Sequence, residues 1–141
     1  MKLRNRIISL AFVAIIAFSM ATMVMADDYG ITPYYNNTLT TQDTFRIDAN
    51  GMVTFSFLCR GYRGITTKIE VESVIQKQVG SSWVDVEGAC WTDESTTTHY
   101  CTNEYTYQLS ERGTYKSVVT YTVYGSGGEA DVIVSEIEKT Y

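Results

Sequence analysis

Basic side chains are scarce in this chain and lie far apart. Of its eleven Lys and Arg, three (Lys2, Arg4 and Arg6) sit within the first six residues. The other eight are scattered over residues 27–141 against all sixteen Asp and Glu, so these 115 residues carry a net charge of −8. Nucleic-acid binding needs Lys and Arg clustered against phosphate, and this balance argues against it. It argues equally against docking on anionic lipid. Charge of this kind serves solubility. Proline and histidine each occur once. Beyond residue 27 there is no apolar stripe at helical spacing, no heptad pattern and no internal repeat, which disfavours helical and solenoid architectures. Cys-x2-Cys, Gly-x-Ser-x-Gly and Asp-x-Asp-x-Asp-Gly are all missing, as is a Gly-rich loop between strand and helix. Zinc knuckles, serine hydrolases, calcium loops and nucleotide sites therefore have no motif to stand on.

What is present begins at the N-terminus. The basic first six residues precede an uncharged, mostly apolar run, residues 7–26, which ends Val24-Met25-Ala26 before Asp27-Asp28. This pattern reads as a secretory signal peptide over residues 1–26, cleaved before Asp27. About twenty apolar residues can also span a bilayer, but the basic start and the Val-Met-Ala end favour cleavage. No Cys lies near position 27 to take a lipid, and the chain ends Glu138-Lys139-Thr140-Tyr141 without an apolar tail. The expectation is a secreted protein, extracellular or associated with the cell envelope, with no stable membrane insertion after signal cleavage and no metal or cofactor. What remains is the size of one domain with a real core.

Eleven Tyr, ten Gly and a large Thr, Ser and Val share describe an all-β chain. Residues 27–44 read as a flexible lead-in with an edge strand around 34–39. Asp48-Ala49-Asn50-Gly51 is a turn. Residues 52–59 alternate, with Val53, Phe55, Phe57 and Cys59 on one face. Residues 65–79 form a long strand with Ile65, Thr67, Ile69, Val71, Ser73 and Ile75 together, and Gly80-Ser81-Ser82 turns the chain. Residues 83–91 return with Val84 and Val86 inward, and 92–98 are a polar loop. Residues 99–109 gather Cys101, Tyr105, Tyr107 and Leu109; residues 115–124 gather Tyr115, Val119, Tyr121 and Val123. After a hairpin loop at 125–128, the last strand over 130–137 turns either Val132 and Val134 or Ile133 and Ile137 inward. Six or seven such strands predict a two-sheet antiparallel sandwich over residues 45–141, with a closed barrel as the alternative.

Leu109-Ser110-Glu111-Arg112-Gly113-Thr114-Tyr115 places a Leu six residues before a Tyr across a Gly-containing turn. It resembles the corner before strand F of fibronectin type III and immunoglobulin-like domains. Residues 116–129 resemble their F–G hairpin. With the hairpin over residues 75–86 and the signal peptide, the chain resembles small secreted Ig-like proteins of Gram-positive bacteria. The resemblance implies an Ig-like or fibronectin III-like sandwich, and carries fold, not function. The usual Trp of strand B or C is absent, which leaves the subtype open.

Cys59, Cys90 and Cys101 are the sharpest feature. Outside the cytoplasm three cysteines imply one bridge and a leftover thiol, or a bond between chains. All three are expected towards one pole. Cys90–Cys101 closes the shortest loop and is favoured; Cys59–Cys101 is the rival, because strands B and E are neighbours in the fold resembled. The leftover cysteine is expected to be buried and inert. His99 could complete a Cys3His zinc set or a Cys–His pair, but the spacing and an oxidising exterior favour a disulfide. Glu70/Glu72, Asp85/Glu87, Asp93-Glu94 and Glu136/Glu138 read as solvated strand faces in preference to a glycosidase pair or a calcium site. Trp83 and Trp91 share a face unless a bulge at Gly88 turns Trp91 into the core; on an outer face they could stack on sugars or dock a protein. The function expected is a secreted, non-enzymatic Ig-like module binding an extracellular protein or glycan. A small secreted hydrolase would need a cleft, and a toxin or antimicrobial factor would need a membrane-active segment.

Overall fold

A computed structural model describes residues 35–96 and 99–141. The expected signal peptide at residues 1–26 and the first part of the lead-in lie outside the described residues. Seven strands follow in order: β1 (Thr38–Ile47), β2 (Met52–Gly61), β3 (Thr66–Val79), β4 (Ser82–Ser95), β5 (Tyr100–Gln108), β6 (Thr114–Gly125) and β7 (Asp131–Thr140). They form a three-stranded sheet, β1-β2-β5, and a four-stranded sheet, β4-β3-β6-β7. Every pairing is antiparallel. The fold is an all-β, two-sheet sandwich, not a closed barrel.

The core follows from period-two alternation on the central strands. In β2, Val53, Phe55, Phe57 and Cys59 are all buried, and Phe45 of β1 lies opposite Phe55. The second sheet contributes Ile69, Val71 and Ile75 from β3, and Val119, Tyr121 and Val123 from β6. Phe57 meets Tyr121 edge-on between the sheets, with ring centroids 6.3 Å apart. Each large side chain buried this way contributes roughly 1.5–3 kcal/mol. Tyr115 is buried at the start of β6, and its hydroxyl donates to the Glu111 carbonyl at 2.7 Å, so the corner expected from the Leu109–Tyr115 spacing is formed.

Two expectations need correction, and one open choice is resolved. The boundary at residue 45 falls inside β1, which starts at Thr38 because its first residues are held by Asp131 of β7. On β7, Ile133 and Ile137 pack on the core, while Val132 and Val134 are 62% and 59% exposed. Val84 is exposed, not inward: it pairs with Lys77 at the rim, beside an open cleft of about 240 Å³, and only Val86 reaches the core.

Candidate interaction surface

The outer face of the four-stranded sheet carries exposed large apolar side chains, Tyr124, Val132 and Val134. Strand register sets Thr122 opposite Val132, Thr120 opposite Val134 and Val118 opposite Glu136. Val118 in turn lies opposite Val74 of β3, and Val74 opposite Cys90 of β4. These side chains share a face because β-strand residues alternate. The middle of the face is an area of Val and Thr interrupted by exposed Glu72, which lies opposite Thr92 and Thr120, and it is opened by a groove of about 250 Å³ lined by Glu72, Val74, Asp85, Cys90, Val118 and Thr120.

Each end of this area is closed by a cation held between an aromatic ring and a carboxylate. At one end the Lys116 ammonium lies 4.8 Å from the centroid of Trp83 and 3.0 Å from Glu136 Oε1. At the other end Lys68 lies 4.9 Å from the centroid of Tyr124 and donates to Glu70 at 2.5 Å. The Tyr124 hydroxyl also donates to Glu70, at 2.9 Å. The Lys68 ammonium, and then the Tyr124 hydroxyl, hold the Glu70 carboxyl below its ordinary range. Glu70 in turn raises both Lys68 and Tyr124. Such contacts order long side chains at the rim and leave the centre open.

The two tryptophans do not share this surface. Between Val74↔Cys90 and Gln76↔Asp85 the register shifts, so one residue of β3 faces four of β4. Gly88 takes φ +75° in this bulge, a conformation that L side chains rarely adopt, and Ala89 turns fully inward. Trp83 is left on the outer face. Trp91 is turned inward, where it stacks on Tyr105 at 4.8 Å and on Phe55 at 6.2 Å. Of the two alternatives the sequence left open, the bulge at Gly88 is the one found, and it separates the two tryptophans. Asp93 then accepts from the Tyr105 hydroxyl and from Asn103 Nδ2, each at 2.8 Å, tying β4 to the other sheet.

The cysteines are free thiols. Cys101 is buried, and its strand partner is Cys59, not Cys90. Cys90 is exposed on the outer face of the opposite sheet. The favoured Cys90–Cys101 bridge is therefore absent: Cys101 points into the core from one sheet, Cys90 points outward from the other, and their strands lie a sandwich of about 10 Å apart, whereas a disulfide tolerates Cα separations of only about 7 Å. Among the described residues no three His, Cys, Asp or Glu side chains converge as metal ligands. His99 serves through its backbone, its carbonyl accepting from Gly61 N–H at 2.8 Å.

Sequence reasoning missed Lys116, Val132 and Val134 as surface elements. Lys116 carried no signal, since its partners are set by register. The alternation of β7 left its two valines and two isoleucines equivalent until a partner sheet was present. No protein-family model matches the chain, and no curated protein sequence is significantly similar to it.

Proposed function

We propose that the chain is a secreted, non-enzymatic sandwich module that binds an extracellular protein at the cell envelope or outside the cell. The observation that carries this reading is the outer face of the four-stranded sheet: exposed Val132 and Val134 beside Thr120 and Thr122, bounded by the Trp83–Lys116–Glu136 and Tyr124–Lys68–Glu70 groups. Exposed apolar side chains beside charged and aromatic groups are a common anatomy of protein–protein contacts. A protein is favoured over a glycan because one face of the Trp83 ring is already taken by Lys116. Secretion rests on the basic, apolar and Val-x-Ala pattern of residues 1–26.

The test compares the wild-type protein with Val132→Lys and Val134→Lys, since lysine is a natural edge-strand residue that leaves the fold intact. Retention by envelope proteins or host extracellular proteins, lost in both variants while thermal unfolding is unchanged, is the expected result. Equal retention of wild type and variants would remove this face from the function. Retention by purified peptidoglycan or wall teichoic acid alone would replace protein with glycan. A supernatant product beginning at Asp27 supports secretion, and an intact chain pelleting with membranes opposes it.

A further inference from the structure

Cys59 and Cys101 are direct partners on β2 and β5. The pairing runs without a register shift from Met52↔Gln108 to Arg60↔Tyr100. Just beyond it, Gly61 N–H donates to the His99 carbonyl at 2.8 Å, and at the far end Leu109 N–H donates to the Gly51 carbonyl at 2.9 Å. Both bonds join residue pairs of the same parity as Cys59 and Cys101. In an antiparallel ladder that parity marks the hydrogen-bonded pairs, whose Cα atoms lie about 5.5 Å apart. A disulfide spans Cα separations of about 4.4–6.8 Å, so these two thiols, free in this structure, bond once their sulfurs are drawn together. Both side chains point to the same, inner face, and both are buried. Cys90 lies on the other sheet and faces outward.

We propose that Cys59 and Cys101 are joined by a cross-strand disulfide in the protein outside the cytoplasm, leaving Cys90 as its one exposed thiol. The site of oxidation rests on the secretion proposed above; the identity of the pair rests on register alone. The oxidant is a disulfide, either a small-molecule one such as oxidised glutathione or a thiol–disulfide oxidoreductase. One cysteine thiolate attacks an oxidant sulfur, giving a mixed disulfide and releasing one oxidant thiol. The second cysteine thiolate then attacks the first cysteine's sulfur, forming the Cys59–Cys101 bond and releasing the other oxidant thiol. Two electrons pass to the oxidant, and the two cysteine protons end on its two thiols.

Burial has a consequence for timing. Desolvation, with the neighbouring Cys101 next, pushes the Cys59 thiol up to about 12, and burial also raises Cys101. The thiolate is the attacking species. The folded, reduced protein is therefore a poor substrate, and the bond forms while the β2–β5 ladder is assembling. It lies near one end of the β2–β5 ladder, one pair from its last, so its effect is to hold β5, an edge strand, on β2.

The experiment uses the full chain, unfolded and reduced, then refolded in a reduced/oxidised glutathione buffer. Iodoacetamide alkylation without reduction should give one adduct, at Cys90, with a linked Cys59–Cys101 peptide on digestion. The fully reduced, already folded protein should close the same bond more than about tenfold more slowly than the refolding chain, because its thiols are buried. Reduction should lower the thermal midpoint of wild type and of Cys90→Ser alike. A linked peptide containing Cys90, or three adducts after refolding, would overturn the pairing. A correct bond after refolding but three adducts on protein taken directly from culture supernatant or envelope would leave the geometry standing and overturn the oxidising location.

Discussion

The two ends of the sandwich are built on different principles. At one end, Asn37, Thr38 and Asp131 are buried and tie three chain segments together. Asp131 accepts from Asn36 N–H at 3.1 Å, Asn37 N–H at 2.8 Å and the Thr38 hydroxyl at 2.8 Å. Asn37 Nδ2 donates to the Glu129 carbonyl, its Oδ1 accepts from Gly127 N–H, and its backbone carbonyl accepts from Tyr62 N–H and the Thr66 hydroxyl. At the other end the ties are mainly backbone pairs, such as Gly113 with Tyr141 and Leu109 with Gly51, plus the Tyr115 hydroxyl and the solvated Lys77–Glu111 pair. A buried network that is fully paired is costly to break in part, because every orphaned group stays out of water. The solvated end has water as a substitute partner. The first end is therefore the one that residue changes should damage most.

Asp131→Ala tests this most severely. It strips the acceptor from two backbone amides and one hydroxyl in a buried site, and should cost about 3 kcal/mol in urea unfolding. The same residue gives the contrast a pH signature. Burial alone would raise its carboxyl, but the Asn37 amide, the Thr38 hydroxyl and the Asn36 amide outweigh this and hold it below the ordinary value. Its stabilising contribution is complete above about pH 4 and is lost as pH falls through the lowered folded value. Asp43 on β1 has the opposite sign. Burial raises its carboxyl and one oxygen has no partner, so it detracts from stability as pH rises from about 4 through its raised value. Denaturation midpoints between about pH 2 and 6 should lose their acid-side fall in Asp131→Asn and keep it in Asp43→Asn. A retained fall in Asp131→Asn would assign acid sensitivity elsewhere.

Gly127→Ala comes next. A Cβ there would overlap the Asn36 carbonyl oxygen and push on Asn37 Oδ1 at 3.0 Å, so about 2 kcal/mol should be lost by the same assay. An unchanged midpoint would mean that this end yields more readily than a buried network should. At the opposite end, Tyr115→Phe removes one hydroxyl while keeping the ring, and should cost about 1 kcal/mol. Lys77→Ala should leave the midpoint unmoved, because its partner Glu111 is solvated. If either of these last two exceeded the effect of Asp131→Ala, the contrast between the ends would be reversed.

Much of the fold was legible from alternation. The inward sets of β2 and β6 are those expected, and so is that of β3 from Ile69 onward, because a strand buried on one face has only two ways to place its side chains; a register shift between Thr66 and Lys68 leaves the expected Thr67 exposed. The corner was legible because Leu109 and Tyr115 are local to one turn. The interaction surface was hardly legible. Trp83 and Lys116 are thirty-three residues apart, Asn37 and Asp131 ninety-four, and nothing in either neighbourhood announces the other. The bulge at Gly88 lay between: its glycine marked a choice of faces for Trp91 that only the pairing with β3 resolved.

By itself, then, the sequence determined the class of fold, the core faces of β2 and β6 and the two candidate partners for Cys101, since composition and period-two patterning act over a few residues. The tertiary structure decided which face of β7 is outside, which tryptophan is inside, and which cysteine lies opposite Cys101. Each is a question of register between strands distant in the chain. Register is set by the whole packed face at once, because a slip of one residue would turn every side chain of a strand to the wrong side.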